Sequence, residues 1–345
     1  MNELDLNLLV LPVWWSMKRD AFLSIGLLAA AVLATPTSAQ VAPETEGNAS
    51  THSAPWPGLT GGDTPQQVAR SIELAPELHR AMSPREMLRE RRLLDAALAA
   101  LGPQQPGTSD AFVISIALDS DPVFSREARE AGRVLGRRYN AESRTLVLAG
   151  PDGEPDNTPR GSISALMIAL ASIAEKMDPD EDVLVLYSTS HGLPQGLAYH
   201  YEDRGYGILS PQRLKDVLSE LGIEKRLLLL SACYSGIFVP ELASDQTAII
   251  TASAANRTSF GCQPDNDWTF FGDALINRAM RKPQGLLMAH REALLSIADW
   301  ESRVRAPASL PQARIGNAAQ SWLAALESQM PQVTTEPVGK PAMGE

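Results

Sequence analysis

The chain has only two cysteines in 345 residues, Cys233 and Cys262. That excludes a disulfide framework as the source of its stability, although the two thiols could pair with each other and silence one another. Basic runs are short and the formal charge is −11. This argues against nucleic acid or an anionic membrane surface as a partner. No Gly-rich phosphate loop follows an apolar run, and no spacing of His, Cys, Asp or Glu resembles a metal set. No metal or other cofactor is therefore expected. Thr189-Ser190-His191-Gly192 is not a Gly-x-Ser-x-Gly elbow, which weakens a serine-hydrolase reading. Internal repeats are also missing.

Apolar residues make up 44% of the chain, enough for one large core or two small ones. The stretch from Met17 has a basic start, a short apolar run and small residues at Thr37-Ser38-Ala39. This is the pattern of a secretory signal, with an apolar run too short for a comfortable membrane anchor. Residues 1–39 are expected to be a signal peptide, with Met17 a possible true start, and the protein to be exported, periplasmic or secreted, without stable membrane insertion. Residues 40–62 are rich in Pro, Gly, Ser and Thr and read as a flexible lead. Thr64-Pro65 and Ser83-Pro84-Arg85-Glu86 are helix-start patterns, so 63–105 is read as a helical N-terminal segment.

From residue 106 to 305 short β-rich runs alternate with helical stretches, the pattern of an α/β sheet. Strands are expected at Phe112–Leu118, Thr145–Ala149, Val183–Ser188, Arg226–Ser231 and Thr247–Ser253, with a small hairpin around residues 197–209. Residues 306–345 are read as a last helix and a disordered tail. Two runs stand out. Val183–Ser188 leads into Ser190-His191-Gly192, and Leu227–Ser231 leads into Ala232-Cys233-Tyr234-Ser235-Gly236. A buried strand that ends in a reactive residue and then glycine presents that residue at the carboxyl edge of a sheet. About forty residues between the two leave room for one crossover helix, so the strands can be neighbours.

A thiol becomes a strong nucleophile only as thiolate, and His191 is the natural partner for its proton. The backbone N–H groups of Gly192 and Cys233 are candidate oxyanion donors. The other histidines carry less: His52 lies in the flexible lead and His79 among charged helical residues, both expected to be solvated. His290 has no partner in sequence, and His200 lies near the site with a surface role expected.

An apolar strand ending in His-Gly and another ending in Ala-Cys resemble the caspase/legumain clan of cysteine peptidases. Thr251-Ala-Ser-Ala-Ala-Asn-Arg-Thr-Ser-Phe-Gly-Cys262 and Trp268-Thr-Phe-Phe-Gly-Asp273 narrow the resemblance to the legumain type. The resemblance implies a caspase-like three-layer α/β sandwich with a mainly parallel central sheet. It implies a metal-independent cysteine endopeptidase acting on peptide or protein substrates after asparagine or aspartate. Carried over by motif, Cys233 is the nucleophile, His191 the catalytic histidine and Gly192 the oxyanion residue. Arg126, Ser231, Ser259 and Asp273 fall in or beside the substrate pocket. There are departures: Ser231 stands where legumains carry a glutamate, Phe124 where they carry an asparagine that orients the histidine, and Ser190 where an aspartate is usual. A non-catalytic peptide-binding scaffold, a transpeptidase and an amidase are the rival readings of the same residues.

Overall fold

The computed structural model describes residues 52, 61–74, 77–151 and 157–343. The expected signal peptide and most of the lead lie outside them. In chain order the elements are α1 (Pro65–Leu74), β1 (Glu77–His79), α2 (Pro84–Ala99), β2 (Ala111–Ala117), α3 (Pro122–Arg138), β3 (Thr145–Leu148), α4 (Ile163–Ala174), β4 (Val183–Thr189), β5 (Gly192–Leu193), β6 (Gly196–Tyr201), β7 (Gly205–Leu209), α5 (Pro211–Glu220), β8 (Arg226–Ser231), α6 (Phe238–Leu242), β9 (Thr247–Thr251), α7 (Leu286–Arg303), β10 (Gln312–Ile315) and α8 (Asn317–Ser328). A π-helical turn, Gly272–Arg278, stands before α7.

The main sheet has the strand order β10-β9-β8-β4-β2-β3. All its pairings are parallel except the edge pair β10–β9. The strands are continuous apolar runs because both faces are covered. Odd and even residues divide between two cores. Val113, Val185, Tyr187, Leu229 and Ile250 pack with residues of α3, the π-turn, α7 and α8. Ile114, Ile116, Leu186, Leu228 and Leu230 pack with residues of α2, α4, α5 and α6. The period of two along each strand thus builds a three-layer sandwich. A second sheet, order β1-β7-β6-β5, is antiparallel and grows from the end of β4.

Helix starts follow their caps. Ser83, Ser162 and Ser210 each accept the N–H of the residue three positions on, at the N-termini of α2, α4 and α5, removing one unsatisfied donor apiece. Pro84 and Pro211 occupy the first helical position, where a missing N–H costs nothing,. No described helix is long and apolar enough to cross a membrane.

Three features depart from the sequence expectations. β1 and β10 are short strands without a strong alternating signal, recruited by pairing with β7 and β9. The tail from Pro331, expected to be disordered, is held as far as Ala342: Val338 O accepts from Trp268 and Asn277, and the Lys340 and Ala342 N–H groups donate to Asp267 and Asp273.

Candidate active site

Register decides the site. Ala117 of β2 pairs with Thr189 of β4, and Thr189 pairs with Ser231 of β8. Asp119, His191 and Cys233 therefore each stand two residues past one common level, on three adjacent parallel strands. The carboxyl edge of the sheet lines up a carboxylate, an imidazole and a thiol.

The two expected catalytic strand ends touch. Gly192 lies so close to the nucleophile loop that a Cβ there would fall 1.8 Å from the carbonyl oxygen of Cys233. The Ala198 N–H donates to the His191 carbonyl at 3.0 Å, which makes Gly192 and Leu197 a non-hydrogen-bonded pair and points the Gly192 N–H away from β6,. After Cys233 the chain turns sharply: Tyr234 has φ 57°, and its N–H donates to Arg257 O at 2.8 Å. Gly236 is required on steric grounds, since a Cβ would meet Ala255 N at 2.4 Å.

Cys233 and Cys262 are both free thiols. The Ser259 N–H donates to Cys233 Sγ at 3.2 Å, and the Ser259 hydroxyl lies 3.7 Å from it. Burial pushes the Cys233 thiol up, while the Ser259 backbone and hydroxyl pull it back toward ionisation. The His191 ring packs edge-on against Phe124, centroids 5.1 Å apart, and its Nε2 lies 4.0 Å from Asp121 Oδ2. Burial pulls the imidazole down in pKa. Cys262 as a hydrogen-bond partner, with the charges of Asp119, Cys262 and Asp121, outweighs this and carries it up to about 9. His191 is therefore held toward its cationic form, with Cys262 as the thiol at its ring.

The two carboxylates also hold a residue from the lead. His52, expected to be solvated, has Nε2 2.8 Å from Asp119 Oδ1 and 3.8 Å from Asp121 Oδ1. Its ring stacks on His200 at 3.3 Å. His200 is buried rather than at the surface, and burial together with the neighbouring His52 pushes it down to about 4. The ligand atoms of His52, Asp119 and His200 lie within 4.8 Å of one another, as do those of Asp119, Asp121 and His191. The near-parallel stacking of His52 on His200, 12° between planes, keeps the two rings from aiming in-plane lone pairs at one ion. The group reads as a charge network.

The expected pocket residues separate. Arg126 Nε pairs with Asp267 Oδ1 at 2.8 Å, and its Nη2 donates to Pro264 O and Asn266 O, both at 2.6 Å. Asp273 is fully buried: Oδ1 accepts from Asn277 at 2.9 Å and Arg278 at 3.1 Å, and Oδ2 accepts the Ala342 N–H at 2.9 Å. Both Asp273 oxygens are thus committed away from Arg126. Ser231 faces a carboxyl of another element. Its hydroxyl donates to Glu127 Oε1 at 3.1 Å; Tyr187 Oη donates to the same oxygen at 2.5 Å, and the Thr269 N–H donates to Oε2 at 2.6 Å. Burial raises the Glu127 carboxyl, with these bonds working against it.

Asp119, Asp121 and Glu127 escaped the sequence reading although each left a signal. Asp119 and Asp121 follow a buried strand as His191 and Cys233 do. Glu127 is a charged residue on the apolar stripe Phe124–Ala128–Ala131–Leu135 of α3, three residues from one member and four from another.

Residues 169–295, which carry both strand ends, match the model of the Peptidase C13 family. The chain is a cysteine-type peptidase, similar over that segment, about a third of its length, to the legumain family. No curated protein sequence matches it. Among solved structures, the crystal structure of caspase-1 from Spodoptera frugiperda is similar with a TM-score of 0.40 at 13% identity, over 63% of this chain and 93% of that one. As a cysteine-type peptidase it acts on protein or peptide substrates, and its α/β sandwich has a mostly parallel sheet.

Proposed function

We propose that this cysteine-type peptidase cleaves peptide bonds with Cys233 as nucleophile and His191 as its acid–base partner. The observation that carries this is the contact of Gly192 with the Cys233 backbone, on two adjacent strands whose ends lie at one level. A cationic His191 favours the thiolate, and Ser259 donates to the sulfur,. Attack on the scissile carbonyl gives a tetrahedral oxyanion, held by the N–H groups of Gly192 and Cys233. His191 then protonates the leaving amine, and water resolves the acyl-enzyme. Asp121 takes the orienting place left empty by Phe124, with its carboxylate 4.0 Å from Nε2.

Cleavage after asparagine or aspartate is the expected preference. Its support is the resemblance, which puts Arg126 in the pocket, and Glu127, which supplies on Ser231 the carboxyl that the sequence lacks at that position. The protein is proposed to act after export and removal of residues 1–39, which N-terminal sequencing of the mature protein tests.

The deciding experiment is digestion of a peptide library by wild type, Cys233→Ala and His191→Ala. Loss of cleavage in both variants establishes the dyad, and the residue before the cut tests the preference. Unchanged cleavage in Cys233→Ala would remove the dyad.

A further inference from the structure

The C-terminal residues are gripped mainly through their main chain. The Val338 N–H donates to Asn277 Oδ1 at 3.0 Å, and Val338 O accepts from Trp268 Nε1 at 2.8 Å and Asn277 Nδ2 at 3.1 Å. The Lys340 N–H donates to Asp267 Oδ2 at 2.5 Å, and the Ala342 N–H to Asp273 Oδ2 at 2.9 Å. Alternate residues face the same side, as in an extended peptide read from one edge. Pro341, between two of them, has no N–H to leave unsatisfied,.

The gripping side chains are preorganised. Asp273 is held by Asn277 and Arg278, and Asp267 by its pair with Arg126. Two positions of the tail are read for identity. Gly339 has φ 77°, and a Cβ there would fall 2.8 Å from Asp267 Oδ2, so the position favours glycine. Lys340 Nζ lies 3.4 Å from Asp265 Oδ2.

We propose that Trp268, Asn277, Asp267 and Asp273 form a peptide-recognition groove for extended segments containing Gly-Lys, in which the chain's own C-terminus is the resident ligand. When the tail leaves, the groove takes a Gly-Lys segment of a polypeptide substrate. This rests on the chain being a peptidase, and not on which residues carry the chemistry. Main-chain recognition by the carboxylates of Asp267 and the buried Asp273 supplies affinity, and the preference for glycine supplies selectivity,.

The test uses the full chain with Gly339→Val and Lys340→Glu, which clears the groove without deleting anything. A fluorescein-labelled peptide of residues 333–343 is titrated and followed by anisotropy. Saturable binding is expected for the double variant and much weaker binding for wild type, whose groove is filled. Adding Asp267→Asn should weaken binding about tenfold or more, and a peptide carrying Gly339→Val should not bind. Absence of binding by the folded double variant would overturn the proposal, as would equal binding of the Gly339→Val peptide. So would unfolding of the double variant, which would make the tail part of the core. These readings are independent of Cys233→Ala, so failure of the groove and failure of the dyad are told apart.

Discussion

Cys233 and His191 stand at one level of the sheet, each two residues past the paired Thr189 and Ser231. Parallel register, rather than any local motif, sets their relative height, and the close approach of Gly192 to Cys233 fixes the gap between their loops.

That close approach makes Gly192→Ala a sharp test. The added methyl would require the Cys233 backbone to move from a position 1.8 Å away. A shift of about 1 Å at a reacting group costs about 100-fold in rate. The expected outcome is a fall in kcat/KM of about that size or more, with both thiols still titratable in the folded protein.

Asp121→Asn is expected to lower the pKa of His191, because the Asp121 charge is among the influences that raise it to about 9. The sign follows from linkage. A histidine raised above its ordinary 6.5 stabilises the fold fully below that value, and the contribution is lost as pH rises toward about 9. The variant should narrow that window. Imidazole NMR titration reads the shift, and thermal melts across the same pH range read the stability.

Ser259→Ala removes the hydroxyl 3.7 Å from Cys233 Sγ and keeps the N–H at 3.2 Å. The thiol should move further up, since that hydroxyl favours its ionised form. The expected consequence is a modest slowing of alkylation at neutral pH, about two- to fivefold. The rate of iodoacetamide labelling against pH measures it.

Glu127→Gln and Glu127→Ala should behave differently. The carboxyl is fully buried and raised above its ordinary 4.5, so the folded state keeps its proton to higher pH than the unfolded chain does. Stability therefore falls as pH rises above about 4.5 through this group, and glutamine should abolish that slope at little cost. Alanine leaves the hydroxyls of Tyr187 and Ser231 and the Thr269 N–H without their acceptor. It should destabilise by about 1–3 kcal/mol for each buried group stranded. Urea denaturation at several pH values separates the two.

Much was legible in the chain itself. Apolar runs with no alternation announced strands covered on both faces, and that required a mostly parallel sheet between helices. Strand ends capped by His-Gly and Ala-Cys announced which residues the sheet would present at its carboxyl edge, because a strand's last residues need no knowledge of neighbours to be exposed there.

What the sequence left undetermined depends on which elements become neighbours. Asp119 and Asp121 join the site because β2 pairs with β4. Glu127 meets Ser231 because α3 packs across β2, β3 and β4, next to β8, and His52 reaches Asp119 from 67 residues earlier in the chain. Asp273, placed in the pocket by its motif, turns instead to Arg278 and the tail, since the π-turn buries its side chain against them. The sequence alone determined the main strands β2, β3, β4, β8 and β9, the capped helices and the chemistry-bearing strand ends, which local periodicity and capping encode. Only the tertiary structure decided which carboxylates face the imidazole and where the tail rests, because such contacts are chosen by packing between segments distant in the chain.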